Sequence, residues 1–317
     1  MRRFLVLLFI VALLALLVVL LYVLLRGSPR SGPPSPGVLP PQSPAAVPTT
    51  APASPPNYPG QGFTLYFIDV GQGDATLVVD HSGASLLVDG GRSGRRIRDR
   101  LQRLNVQDLD AIVITHNDAD HIGGLEEVLD LYTVEHVYVN GAVGSTKTYE
   151  ELTAAVQAEG SAITAVSRGD FINLGGLKLS VLHPGVLAGD SNVDSVVLKV
   201  ECGVVSALLT GDAEAESERD MLKAGVLGDV DVLKVGHHGS RSSTSPEFLA
   251  QVKPEVGVIS AGLENSYGHP HQEVVDRLKA AQVQLLMTDT TNADNTLAMT
   301  SDCATYQFLQ PAQPLGN

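Results

Sequence analysis

Three apolar runs in this chain stop on residues that ligate metals. "DAIVITHNDADH" ends on His116, Asp118, Asp120 and His121, "ALLTGD" ends on Asp212, and "DVLKVGHHGS" delivers His237 and His238. Short runs rich in Val, Ile and Leu, bounded by Gly and polar turns, read as buried strands. A strand that ends in Asp or His presents that side chain at the rim of its sheet, where loops from neighbouring strands converge. The fold therefore has to bring several strand ends to one place.

The same pattern runs from Gly62 onward. "FTLYFIDV", "DATLVVD" and "SLLVDGG" read as three successive strands, a basic helix follows over residues 95–104, and "DAIVIT" leads straight into His116. Further strands are expected at "VEHVYVN", "LKLSVLH", "SVVLKVEC", "VVSALLTGD", "VDVLKVGHHG", "VGVISAG" and "QLLMTD". Amphipathic stretches "TYEELTAAVQAEG", "AESERDMLKAG", "SPEFLAQVK" and "HQEVVDRLKAAQ" alternate with them as helices. No tandem repeat in fixed register is present. The class is α/β, and two sheets flanked outside by helices would bury both sets of apolar strands.

His116, Asp118, Asp120 and His121 share six positions on a strand-to-helix loop, and the glycines that follow permit close backbone approach. Imidazole nitrogen and carboxylate oxygen are ligands for Zn²⁺, Mn²⁺ and Fe²⁺. Four of them so close together can hardly serve one tetrahedral ion, so the spacing calls for two. A solvated acidic turn accounts for "NDAD" but not for a histidine on either side. Taken singly, Asp212 reads as the N-cap of the next helix and His237 as a core histidine. Alongside the first motif, metal ligation explains both better.

Charge bounds the partners. The first 60 of the 317 residues hold no Asp or Glu and four of the 21 basic residues, so the remainder sets 17 basic residues against 35 acidic, a net of −18. Such a surface repels nucleic acid and anionic membrane unless metal or a local basic patch intervenes. Cys202 and Cys303 are too few for a disulfide framework and form no CxxC knuckle, and whether they pair is not legible.

Residues 4–25 are apolar and uncharged, long enough at about 1.5 Å per residue to cover the ~30 Å hydrocarbon layer. A cleaved signal peptide has a shorter core and a small-x-small site, which "LLRGSPR" lacks. Residues 1–27 are accordingly expected to be an uncleaved anchor. Arg2 and Arg3 favour a cytoplasmic N-terminus, although Arg26 and Arg30 weaken the asymmetry. Residues 28–60 hold 12 of the 18 prolines and read as an extended, disordered stalk. The expectation is a single-pass protein of the cell membrane whose domain, residues 61–317, works outside the cytoplasm.

The ordered series "FIDVGQGDA", "THNDADHIGG", "LLTGD", "GHHGS" and "YGHPH" resembles the metallo-β-lactamase fold. Within that fold it is similar to the soluble hydrolase domain of the ComEC family of DNA-uptake competence proteins. The resemblance covers residues 61–309 and implies an αββα sandwich. The competence proteins also carry a multi-span channel region, whereas one span is expected here, so a role in DNA transport is not implied.

The resemblance carries over residue by residue. The usual HxHxDH motif is HxDxDH here. His116 and Asp118 would serve a first metal, Asp120 and His121 a second, and Asp212 would bridge them. His237 matches the histidine completing the second site, with His238 the adjacent alternative. The third ligand of the first site is open to His183, Asn192 or water. Carboxylate in place of imidazole hardens that site towards Mn²⁺ or Mg²⁺, so the expected cofactors are two divalent ions, Zn²⁺ or Mn²⁺. Asp89 would orient a metal-binding histidine, while Asp69 and Asp74 would do similar work or simply shape their Gly-rich turn. A water between the cations would be the nucleophile. Asp120 and His269 are the expected catalytic residues, His269 holding the scissile phosphate or protonating the leaving group. His271 would share that task or cap its helix, and Lys234 and Arg241 are candidates for anion contact.

The implied activity is that of a ComEC-like phosphodiesterase or nuclease. The net charge of −18 favours a small phosphodiester or other small ester over polymeric nucleic acid. Phosphorylcholine esterase or lactonase activity is the alternative, followed by a metal-free binding module.

Overall fold

The computed structural model describes residues 60–289 and 296–309. The expected anchor, and the stalk up to residue 59, lie outside the described residues. No helix among the described residues is long and apolar enough to cross a membrane.

The first half of the domain runs β1 (Phe63–Phe67), β2 (Thr76–Asp80), β3 (Ser85–Val88), α1 (Gly94–Arg103), β4 (Leu109–Val113), α2 (Ala119–Ile122), α3 (Leu125–Leu131), β5 (Val134–Val139), α4 (Lys147–Glu159) and β6 (Ala162–Ala165). The second half runs β7 (Phe171–Leu174), β8 (Leu177–His183), β9 (Val197–Cys202), β10 (Val205–Leu209), α5 (Ala215–Ala224), β11 (Val232–Lys234), α6 (Pro246–Val252), β12 (Val256–Ile259), α7 (Gln272–Ala280) and β13 (Gln284–Met287). Two last strands, β14 (Leu297–Ser301) and β15 (Tyr306–Leu309), return to the first sheet. That sheet has the order β15-β14-β1-β2-β3-β4-β5-β6, and the second has β13-β12-β11-β10-β9-β8-β7.

Each sheet is antiparallel on one side and parallel on the other. β3 to β6 pair in parallel, as do β10 to β13. Parallel neighbours need a crossover, and a helix supplies each one. The consequence is functional. The C-terminal ends of β3 and β4 in one sheet and of β10, β11 and β12 in the other deliver Asp89, the His116 loop, Asp212 and the His237 turn to the edges where α/β folds bind ligands.

Three apolar layers hold the sandwich. Between the sheets, Leu65, Phe67, Val78 and Val113 pack with Val181, Leu198, Val232 and Val258. Outside the first sheet Ile97, Leu101, Val128 and Val156 meet Leu77, Leu87 and Ile112, and outside the second Met221, Phe248 and Leu278 meet Leu208 and Leu233. Strands β2 and β3 are buried along their whole length, which is why they read as continuous apolar runs and not as alternating ones. The four layers are the αββα architecture expected from the sequence.

Cys202, at the end of β9, and Cys303, after β14, form a disulfide with Cα atoms 4.8 Å apart and a sequence separation of 101. It ties the two sheets together.

Candidate metal centre

β4 continues through Ile114 and Thr115 to His116, and the chain then turns into the single turn of α2, which carries Asp120 and His121. Both histidines are fully buried. Their rings lie 4.1 Å apart. Two glycines let the loop close. A Cβ on Gly124 would sit 2.1 Å from the Gly90 carbonyl, and one on Gly73 would sit 2.3 Å from the Asp120 carbonyl, which instead accepts the Asp74 N–H at 3.1 Å.

From the second sheet come Asp212 and His238. Asp212 follows β10 and is 3% exposed. Its Oδ1 lies 3.3 Å from His121 Nε2, and its Oδ2 lies 3.3 Å from His238 Nε2 and 3.6 Å from His237 Nε2. Asp120 Oδ2 is 3.4 Å from the same His238 nitrogen. Asp212 is not the cap of α5, because Glu214 holds the N-cap position and its N–H donates to Ser217 Oγ.

The histidines share one orientation. His121 Nδ1 lies 2.8 Å from Asp89 Oδ2, and His238 Nδ1 lies 2.8 Å from the Ser260 carbonyl. Carboxylate and carbonyl oxygens only accept, so each Nδ1 carries the proton and each Nε2 turns inward. Thr115 Oγ1 donates to Asp89 Oδ2 at 2.7 Å, which leaves it to accept from His116 Nδ1 at 3.0 Å. One carboxylate thereby fixes two imidazoles, directly and through a hydroxyl. Asp89 adopts φ +58° to do so and accepts the Thr115 N–H on its other oxygen at 2.9 Å.

His116 Nε2, His121 Nε2, His238 Nε2 and Asp212 Oδ1 are buried and have no hydrogen-bond partner. Leaving one such atom unpaired is costly, and four converging from both sheets make a site that fits a cation. His116, His121 and Asp212 form one group whose ligand atoms lie within 4.8 Å of one another, and Asp120, His121 and His238 form another. Without an ion the cluster holds protons. Burial alone would lower the pKa of His238, but Asp212 and Asp120 outweigh it and push it up to about 9. His121 is driven well above its ordinary value against the same burial, by Asp212 and Asp89. Burial and the charge on His121 pull His116 down to about 4.

The remaining expected residues are spread around this cluster. Asp118, its side chain 47% exposed, is 3.8 Å from His116 Nε2 and accepts from Ser191 Oγ at 2.7 Å. The histidine drawn into one group with Asp120 and His121 is His238, while His237 stands at the rim with Nδ1 3.0 Å from Glu214 Oε1. His183 belongs to none of the metal-capable groups among the described residues. Its Nδ1 donates to the Ser195 carbonyl at 3.0 Å and its Nε2 lies 3.6 Å from Asp220. Asn192 follows Ser191, and its Oδ1 is buried without a partner.

His269 overlooks the cluster, with its ring 5.4 Å from that of His237 and 6.0 Å from that of His238. Burial and these two neighbours lower its pKa to about 4. Asn265 grips its backbone from both sides, accepting the His269 N–H at 2.9 Å and donating to its carbonyl. His271 occupies the N-cap position of α7 without a side-chain cap bond, and its Nδ1 accepts the Arg241 N–H at 3.1 Å. The Arg241 side chain pairs with Glu273.

Of two supporting residues, Lys234 differs from expectation and Asp69 takes the second of its two expected roles. Lys234 is 1% exposed and paired with Asp74, so it is a buried counterion between the sheets and not an anion contact at the surface. Asp69 lies 3.3 Å from Arg100 and accepts the Gly71 N–H, which makes it a shaper of the Gly-rich loop. Thr115, Ser195, Ser260 and Asn265 escaped the sequence reading. Ser195 Oγ accepts the Asp212 N–H at 3.2 Å and lies 3.4 Å from His116 Nδ1, yet a serine or threonine near a strand end carries no signal of its own.

Comparison with known proteins agrees with this geometry. The metallo-beta-lactamase superfamily matches residues 68–262. ComE operon protein 3 of Bacillus subtilis is 36% identical over 242 residues, covering 70% of this chain and 31% of that protein. Recombination protein 2 of Haemophilus influenzae is 39% identical over 220 residues, covering 67% of this chain and 26% of that protein. This chain thus spans under a third of the length of either relative. Exodeoxyribonuclease WalJ of Streptococcus pneumoniae is 27% identical over 187 residues, covering 57% of this chain and 68% of that protein. With the family matched over more than half of its length and a buried His and Asp cluster at the expected strand ends, the chain belongs to the metallo-beta-lactamase superfamily, is similar to competence-associated ComEC-like proteins, and has a metal-dependent hydrolase fold.

Proposed function

We propose that this chain is a dinuclear metal-dependent phosphodiesterase, anchored in the cell membrane by residues 4–25 with its domain outside the cytoplasm. The observation that carries the catalytic part is the set of buried, unpartnered atoms of His116, His121, His238 and Asp212. The name of the exodeoxyribonuclease relative favours phosphodiester chemistry over lactone or choline ester hydrolysis. The Cys202–Cys303 disulfide supports an oxidising compartment.

His116 and Asp118 would hold one ion, Asp120, His121 and His238 the other, with Asp212 shared between them. His238 takes the place that the resemblance gave to His237, because it is His238 whose Nε2 faces both Asp120 and Asp212. Divalent ions there, Zn²⁺ or Mn²⁺, supply the Lewis acidity that activates an attacking water and neutralises charge developing on phosphoryl oxygens.

The chain's own residues do the rest. Asp89 fixes the tautomer and aim of His121 directly and of His116 through Thr115, so the nitrogens that hold the ions need no rearrangement during reaction. Asp120 presents one carboxylate oxygen towards His238, at the side of the cluster that faces Arg92. His269, fixed by Asn265 and neutral at neutral pH, offers its ring to a phosphoryl oxygen of a bound ester. His237, held by Glu214, stands beside it.

Chelator-stripped protein should hydrolyse neither a bis-aryl phosphate nor single-stranded DNA, and added Mn²⁺ or Zn²⁺ should restore cleavage of both. Absence of hydrolysis with either metal, when lactones or choline phosphate are cleaved, would overturn the reading. Protease added to intact cells should release the domain, and full protection would contradict the topology.

A further inference from the structure

The basic face of α1 has no part in the metal cluster, yet it lies beside it. A cavity of about 380 Å³ is lined by Gln72, Arg92, Arg95, Arg96 and Arg100, with Asp99 as its acidic member. Arg92 is 57% exposed and its Nη2 lies 4.0 Å from Asp120 Oδ1. The cavity therefore opens next to the loop that carries Asp120 and His121. Gln72 closes the other wall, where its Oε1 accepts the Gly262 N–H at 3.2 Å and its Nε2 is buried without a hydrogen-bond partner.

Four guanidinium groups around one cavity are a local exception in a chain with 35 acidic residues. The carboxylates nearby offset them only in part, and Asp120 reaches Arg92 no closer than 4.0 Å. Asp69 is shared between Arg96 at 3.8 Å and Arg100 at 3.3 Å, and Asp99 is engaged by Arg98 at 3.2 Å. Arg95 is exposed and has no ion pair among the described residues. The cluster also sits at the wrong end of its helix for stability. The N-terminus of α1 carries positive partial charge, which favours acidic residues in the first turn, whereas this turn holds Arg95 and Arg96 and no acidic residue. An anion bound in the cavity would pair with Arg95, share Arg92 and Arg96 with their carboxylates, and lie beside the helix N-terminus at Ser93.

We propose that this cavity is a phosphate subsite for a nucleic-acid strand whose scissile bond lies at the neighbouring metal centre. The proposal rests on the phosphodiesterase reading and adds to it that the substrate is longer than a single phosphodiester. A second phosphate held by Arg92, Arg95 and Arg96 would position the strand, since guanidinium contacts to backbone phosphate fix register without reading bases. The net charge of −18 over residues 61–317 would keep polyanions off the rest of the domain and leave this approach open.

The test uses the full chain and two probes, a bis-aryl phosphate that carries a single phosphate and so has no second one to place in the cavity, and a fluorescent single-stranded oligonucleotide. Arg95→Gln and the Arg92→Gln/Arg95→Gln pair change exposed side chains only. On the oligonucleotide, kcat/KM of the double variant should fall at least about 10-fold further than on the bis-aryl phosphate. The log-log salt dependence of oligonucleotide binding, measured by anisotropy with metal removed, should flatten by about 0.7 per arginine lost. Equal losses on both probes, or an unchanged salt slope, would overturn the subsite. If the wild type cleaves neither probe, the phosphodiesterase reading fails, and the anisotropy slopes still decide whether the cavity binds a strand.

Discussion

Lys234 Nζ lies 2.5 Å from Asp74 Oδ2, both side chains are sealed from solvent, and the two come from different sheets. The pair stands under the active loop, because Asp74 also donates its N–H to the Asp120 carbonyl and accepts that of Gly91. Removing one partner leaves an uncompensated buried charge. Lys234→Met and Asp74→Asn should each cost about 3 to 5 kcal/mol in urea unfolding, and the double substitution should recover part of the loss. A single variant with wild-type stability would show that the pair carries no structural weight.

Asp89→Asn tests the arrangement that orients the histidines. Asp89 accepts the Thr115 N–H on Oδ1 and both Thr115 Oγ1 and His121 Nδ1 on Oδ2, and an amide, whose nitrogen only donates, cannot serve both positions. Metal affinity should fall by about 10- to 100-fold, read as a lower chelator concentration for half inactivation, while the fold persists. Unchanged chelator sensitivity would remove Asp89 from the metal-binding account.

The metal-free protein should be less stable in alkali. Folded His238 titrates at about 9, against about 6.5 for an unfolded histidine. Its contribution is fully present below the unfolded value and is lost as pH rises through the folded one. His121 acts in the same direction. The melting temperature of chelator-treated protein should thus decline between about pH 6.5 and 9. Metal displaces these protons, so affinity for it should rise across the same window. A flat melting profile for the stripped protein would contradict the assignment of charge to these histidines.

Reduction of Cys202–Cys303 releases a constraint across 101 residues of sequence. Chain entropy sets the stabilisation at up to about 4.7 kcal/mol for such a loop. The urea midpoint should fall on adding dithiothreitol, and Cys202→Ser/Cys303→Ser should reproduce the reduced value. Identical midpoints would mean that the bond does not form in solution.

Strands that carry apolar side chains on both faces were legible in the sequence, and so were the residues at their ends. β8 is the quoted run "LKLSVLH" itself. β6 is exposed along its length and β7 buries only alternate residues, so neither shows as an apolar run. β14 is buried, but at five residues its segment "LAMTS" is too short to stand out, and only its place between β1 and β15 makes it central. At the centre of the site, His116, Asp120 and His121 announce themselves because they crowd with Asp118 into six positions after one strand, and Asp212 gains its meaning from them. The choice between His237 and His238 was not legible, since adjacent residues point in different directions only once the turn is built, and both adopt left-handed backbone angles there. Lys234 misled for a related reason, as its partner Asp74 is distant in sequence.

Asp212 carries the central claim, since one carboxylate faces His121 with one oxygen and His238 with the other. The decisive measurement is the number of Mn²⁺ or Zn²⁺ ions bound per chain by wild type and Asp212→Ser, taken by elemental analysis with the phosphodiesterase rate and melting temperature of the same samples. Glu214 caps α5, so the serine variant keeps the helix start and should stay folded. The account predicts two ions on wild type, a loss of at least one on the variant, and a rate lower by several orders of magnitude. Two ions and a normal rate on Asp212→Ser would contradict it.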